Sequence, residues 1–217
     1  MKRTSFLLFC TLMLVLVSAG NLLAAAPKYV FYVIGDGLGA SQRQVAEYYL
    51  QQVKGDTKAK LAMNRMAIAG INTTYSRDSL VTDSAAAGTA LATGFKTNNG
   101  VISKLPDGRD VKSLIEAAEE NGWVTGIVTT TRLTHATPAV FASHNQSRDA
   151  ENEIAADMSD SGVDYIAGGG FRHFVKKGGD LKSKRKDSRD IVNEMAANGY
   201  RTFVGENSSA EFRSYQP

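Results

Sequence analysis

Ser84 sits in Val81-Thr82-Asp83-Ser84-Ala85-Ala86-Ala87-Gly88-Thr89-Ala90, where a polar trio runs into a tract of small side chains. Asp83 and Ser84 are favoured helix starters and the alanines behind them favoured helix formers, so the serine is predicted at a helix N-terminus. The N–H groups and the positive dipole end there would hold an anion such as phosphate against the serine hydroxyl, and small neighbours would let it approach the backbone. The same stretch also reads as a plain cap on an Ala-rich helix.

Other residues offer chemistry of the same kind. Asp36, in Gly35-Asp36-Gly37-Leu38-Gly39, is a turn residue or a carboxylate ligand for magnesium or zinc. Thr134-His135-Ala136-Thr137-Pro138 places an imidazole and hydroxyls on one turn ahead of a proline-started helix, whereas His144 and His173 lack neighbouring ligand types. Arg148 lies just beyond, and a guanidinium near an anion site grips two phosphate oxygens at once. Gly-x-Ser-x-Gly, a Walker loop and the full dinucleotide glycine fingerprint are all missing. A serine without an evident base partner needs another activator, and metal coordination supplies one by lowering its pKa.

These residues need strands and helices to place them. Lys28-Tyr29-Val30-Phe31-Tyr32-Val33-Ile34 reads as a strand buried on both faces, ending at Asp36. Helices are expected over residues 41–53, 58–66 and 84–92, with a strand at 70–75 and a polar loop or hairpin over 96–108. A helix closed by Asn-Gly and followed by a strand opened by an aromatic occurs twice: residues 111–120 then 123–129, and 188–197 then 200–204. Between them a helix is expected at 148–160 and a short strand at 164–167, ending in Gly168-Gly169-Gly170. Lys176, Lys177, Lys182, Lys184, Arg185, Lys186 and Arg189 against three aspartates read as a solvated loop, with polyanion binding as the other reading. No element is expected over 205–217. Alternating strands and helices predict an α/β fold with a largely parallel sheet, in which ligands bind beyond the carboxyl ends of the strands. Asp36, the 129–137 turn and the triple glycine should then share one edge.

The chain has 217 residues, with 43% hydrophobic and 22% charged residues, as in ordinary soluble domains. Lys2 and Arg3, an apolar run over 6–17 and small residues over 18–26 read as a Sec signal peptide; the run is shorter than the roughly 20 residues of a membrane span. Cleavage is expected between Ala19 and Ala26, leaving 27–217 as the exported part, periplasmic or secreted. Of 25 basic residues Lys2 and Arg3 then leave, so 23 face 22 acidic ones, which argues against nucleic acid as a partner; no membrane association is expected after signal removal. Cys10, the single cysteine, falls in the signal, so no disulfide is expected.

As a set the motifs resemble those of the alkaline phosphatase family. Val81 to Thr89 resembles the signature around its nucleophilic serine, and Tyr32-Val33-Ile34-Gly35-Asp36-Gly37-Leu38-Gly39 its first metal-binding strand and turn. Thr129-Thr130-Thr131-Arg132 with His135-Ala136-Thr137-Pro138-Ala139 resembles its magnesium-site segment, and the motifs run in family order. The resemblance implies a three-layer α/β sandwich and hydrolysis of small-molecule phosphomonoesters with two zinc ions and one magnesium ion. Ser84 would form a phosphoserine intermediate, Arg148 would hold the phosphate, and Asp83 would orient Arg148. Asp36 would bridge a zinc and the magnesium, Thr137 would bind magnesium, and His135 would bind that site directly or through water, drawing it towards zinc. A homodimer is implied for the full-length protein.

Family members are longer and carry most of their zinc ligands in the second half, so an incomplete chain, inactive alone, is expected. A metallo-phosphodiesterase or sulfatase-like hydrolase, and a non-catalytic secreted phosphate-binding fragment, are the other readings.

Overall fold

The computed structural model describes residues 27–205 and 208–215, so the signal expected at 1–26 lies outside the described residues. The chain divides into two compact units, Met1–Arg43 and Gln44–Pro217.

In the first unit the expected strand over 28–34 does not form: no strand among the described residues pairs with the segment in a ladder, and Phe31 and Val33 are 87% and 86% exposed. Apolar, β-branched composition suits a strand but does not supply the neighbour whose backbone must pair with it. The glycine turn does form. Leu38 N–H donates to Gly35 O at 3.2 Å, with Gly37 at φ 69°, and Asp36 is exposed on it. Helix α1, Ala40–Lys54, begins here and runs on into the second unit.

In the second unit the helix expected over 58–66 shrinks to a 3-10 turn, Ala62–Arg65, and residues 70–75 are irregular, with Ile71 fully exposed. Ordered packing starts at α2, Ser84–Thr93, and continues through α3, Leu114–Glu120, and β1, Gly126–Arg132. Then follow α4, Ala136–Ala139, α5, Glu151–Asp160, β2, Tyr165–Gly169, α6, Ile191–Ala197, and α7, Ser208–Ser214, the last where no element was expected. β1 and β2 pair in parallel, Gly126 opposite Tyr165 and Arg132 opposite Gly169, joined by a crossover through α4 and α5, so the α/β class holds. The triple glycine packs closely along this pairing. A Cβ on Gly168 would stand 2.6 Å from Thr129 Cγ2, and one on Gly170 would meet Arg132 Cβ at 2.5 Å.

The twice-used helix end is real. Trp123 N–H donates to Ala118 O and Tyr200 N–H to Met195 O, at 3.1 and 3.0 Å, around Gly122 and Gly199 with positive φ. The outcomes differ. After Trp123 the chain enters β1, three residues later than expected. After Tyr200 it forms no strand; the Tyr200 hydroxyl donates to Val163 O at 2.8 Å, and Phe203 packs edge-on against Phe212 and at a tilt against Tyr215 of the α7 segment, with centroids 5.4 and 5.6 Å apart.

Among the described residues the buried hydrophobic ones fall between Ala85 and Met195, with Ile102, Val140, Ile154, Met158, Val163 and Ile191 fully buried. The basic loop is not wholly solvated, since Arg185 is 2% exposed. Its guanidinium donates to His173 O and Asn152 O at 2.7 and 3.1 Å and pairs with Asp187 at 2.5 Å. Among the described residues no helix is long and apolar enough to cross a membrane.

Candidate phosphate site

Asp83 is the N-cap of α2. Its backbone is extended, and its Oδ1 accepts from Ala86 N–H at 2.9 Å. Ser84 is therefore the first helical residue. Ala85, Ala86, Gly88 and Thr89 behind it are buried, so small side chains let α2 sink into the core while its N-terminus stays at the rim. Thr89 Oγ1 donates to Val101 O at 3.2 Å and accepts from Ser103 N–H at 2.9 Å, tying the helix to the 101–103 segment.

That segment carries the next residue in. Ile102 pairs with Asn145 in an antiparallel bridge, and Arg148 N–H donates to Gly100 O at 2.7 Å. The Arg148 side chain then reaches back to α2, with Nη1 donating to Asp83 Oδ2 at 3.0 Å, the oxygen that also accepts from Gly100 N–H at 3.0 Å. The pair is about one quarter exposed on both sides, which leaves it open to an incoming anion. A guanidinium has five N–H donors, so one given to Asp83 leaves enough for two phosphate oxygens.

His135 closes the other side. Its Nε2 lies 3.2 Å from Arg148 Nη2, and its Nδ1 faces Thr137 N–H at 3.4 Å. Both ring nitrogens therefore face donors, whereas a neutral imidazole accepts at only one of them. As the N-cap of α4, His135 also brings Thr137 into the same corner. The β1–α4 turn is fixed from behind by Glu151, which accepts from Arg132 Nε at 2.5 Å and Thr134 Oγ1 at 2.6 Å and lies 3.2 Å from His173 Nε2. Burial alone would raise the Glu151 carboxyl, but the hydrogen bonds from Thr134 and Arg132 hold it below the usual range. Burial, together with the neighbouring cations of Arg172, Arg132 and Lys184, pushes His173 down, against the opposing pull of Glu151.

Five of the six expected residues, Asp83, Ser84, His135, Thr137 and Arg148, thus belong to one region of the second unit. Asp36 belongs to the first unit. The supporting roles of Gly100 and Glu151 were not foreseen. Glu151 meets Arg132 and Thr134 across 19 and 17 residues, beyond any local spacing pattern. Among the described residues no three of His, Cys, Asp and Glu come together as a metal would require, so the donor set here does not fit a catalytic zinc centre.

The family described as alkaline phosphatase matches residues 27–212. Alkaline phosphatase 3 of Bacillus subtilis is 39% identical over 181 residues, which cover 80% of this chain and 37% of that protein. The repressible alkaline phosphatase of Saccharomyces cerevisiae is 36% identical, over 82% of this chain and 33% of its own. The chain thus spans about a third of the length of these curated relatives. Among solved structures, Thermus thermophilus alkaline phosphatase superposes with a TM-score of 0.69 at 37% identity, covering 77% of this chain and 34% of that one. A histidine-to-glutamate variant of alkaline phosphatase from the Antarctic bacterium TAB5, with magnesium bound in its M3 site, superposes at 0.69 and 33% identity, covering 83% and 48%.

Proposed function

This chain belongs to the alkaline phosphatase family, and from that we infer that its second unit carries the phosphate-binding and nucleophilic part of a phosphomonoesterase. The observation that supports this most directly is the chain of contacts from the start of α2 through Asp83 to Arg148, which sets a guanidinium beside the helix N-terminus where Ser84 begins. Arg148 would take two oxygens of the phosphoryl group while the N–H groups of α2 face the third. The Ser84 oxygen would then bond to phosphorus as the ester P–O bond breaks and the alcohol leaves with a proton. Water would cleave the phosphoserine, returning inorganic phosphate and the serine hydroxyl.

The zinc and magnesium that the resemblance implies would, in a full-length protein supplying the remaining ligands, offset charge on the departing alkoxide. As the resemblance implies, Thr137 and His135 are proposed as magnesium-site residues and Asp36 as a metal-binding carboxylate. With this donor set the chain by itself is expected to turn over poorly. Stoichiometric zinc together with steady hydrolysis of p-nitrophenyl phosphate by the 217-residue chain would refute that expectation.

The nucleophile is tested by rapid quenching with an aryl phosphate followed by peptide mass spectrometry. Phosphate is expected on the peptide containing Ser84, in wild type and not in Ser84→Ala. Labelling elsewhere, or labelling that survives the substitution, would sink the assignment. Parallel turnover of a phosphodiester and a sulfate ester separates the monoesterase reading from its two hydrolase rivals. Export through residues 1–26 and dimerisation of the full-length protein are proposed alongside; N-terminal sequencing of the exported protein and sedimentation test them.

A further inference from the structure

We propose that Asn99 is a positioning residue for the phosphate site, holding the backbone that delivers Asp83 and Ser84; the proposal rests on the reading of Ser84 and Arg148 given above. The Asn99 side chain spans Thr82. Its Oδ1 accepts from Asp83 N–H at 3.1 Å and its Nδ2 donates to Val81 O at 3.0 Å. Asn99 is itself held in place, because its backbone N–H donates to Asp78 Oδ1 at 2.9 Å and Ser76 Oγ donates to that same oxygen at 3.0 Å. The next residue completes the clamp: Gly100 N–H reaches Asp83 Oδ2, and Gly100 O takes the backbone N–H of Arg148.

Hydrogen bonds decide the matter here because packing does not. Leu80 and Val81 are 91% and 78% exposed, so the segment entering α2 has no buried apolar anchor of its own. An exposed segment without buried contacts opens locally at little cost unless polar bonds hold it. The Asn99 amide bonds both residues that flank Thr82, with one donor and one acceptor used in the fixed geometry of a single planar group. Loss of that staple would let Asp83 move away from Arg148 while the buried part of α2, from Ala85 on, stays packed.

The test compares wild type, Asn99→Ala and Asn99→Asp in the 217-residue chain. The readouts are amide hydrogen exchange by NMR, the melting transition, and the affinity for inorganic phosphate. Two exposed hydrogen bonds removed together correspond to about a tenfold effect. Asn99→Ala is therefore expected to exchange the Asp83 and Gly100 amides about tenfold faster and to bind phosphate about tenfold more weakly. The α2 interior amides and the melting transition should stay close to wild type. Asn99→Asp keeps the acceptor for Asp83 N–H but turns a carboxylate oxygen towards the Val81 carbonyl, so it should restore protection at Asp83 only in part. Unchanged exchange at Asp83 in Asn99→Ala overturns the proposal. So does global unfolding of both variants, which would make Asn99 a residue of the fold as a whole. Faster exchange at Asp83 in a chain whose wild type binds no phosphate would leave the staple standing and sink the phosphate reading instead.

Discussion

Arg148 and His144 lie four residues apart on one segment, and each fastens it to a carboxylate, the first as a permanent cation and the second as a titratable one. Arg148 reaches forward to Asp83. His144 faces acceptors at both ring nitrogens, with Nδ1 2.8 Å from Ser103 O and Nε2 2.9 Å from Glu116 Oε1, an arrangement only the imidazolium satisfies at both ends. Burial pulls the His144 pKa down, but the Ser103 carbonyl and the Glu116 and Asp110 carboxylates outweigh it and the pKa is raised. Glu116 is lowered for the matching reason: burial opposes ionisation, while Ser113 and His144 overcome it. The signs then define a window. The raised His144 stabilises the fold fully below its ordinary 6.5 and loses that contribution as pH rises through its folded value. The lowered Glu116 contributes above its ordinary 4.5 and loses as pH falls through its own folded value. Chemical denaturation just below pH 6.5 and at alkaline pH should therefore show lower stability at alkaline pH, and His144→Ala should reduce that difference. An unchanged pH dependence in the variant would remove His144 from the account.

At the scale of elements, α2 depends on being thin. A Cβ on Gly88 would stand 3.0 Å from Val140 Cγ2 and 3.3 Å from Cγ1, so a helix glycine that costs propensity is what lets α2 lie against the end of α4. Gly88→Val would force these elements apart by overpacking and is expected to destabilise the fold by about 1–3 kcal/mol, measured as a shift in the denaturation midpoint. Because the strain falls between α2 and α4, the two elements that bring Ser84 and His135 to the site, phosphate binding should weaken together with stability. α3 is held differently, by a capping box in which Ser113 Oγ accepts from Glu116 N–H and the Glu116 carboxylate accepts from Ser113 N–H. That box shares Glu116 with His144, so a local helix start and a long-range ion pair depend on one side chain.

Across the whole molecule, order is unevenly spread. Among the described residues the buried hydrophobic ones lie between Ala85 and Met195, while residues 27–75 include Tyr29, Phe31, Val33, Ile68 and Ile71 among the exposed apolar side chains. Amide protection follows buried contacts and stable ladders. Hydrogen–deuterium exchange should therefore divide the chain, with slow peptides over α2, β1 and α5 and fast ones over 28–34 and 66–75. Slow exchange over 28–34 would show that this segment has found a strand partner, which its composition suits and the described residues do not provide.

Local chemistry was legible without the fold. Asp83 and Ser84 at a helix start and Asn-Gly ending two helices depend on neighbours within a turn, and the backbone obeys them. The family pattern also pointed to His135, Thr137 and Arg148, and the fold brings these three together beside Asp83. What the sequence could not decide was pairing at a distance. The strands expected over 28–34, 70–75 and 200–204 fail because a strand exists only through its partner, and composition does not carry the partner's position. Arg185 is buried in a loop that reads as solvated because two backbone carbonyls and Asp187 converge on it only after folding. Asn99 and Glu151 acquire their roles in the same way, through contacts that close across 16 to 19 residues and leave no periodic trace.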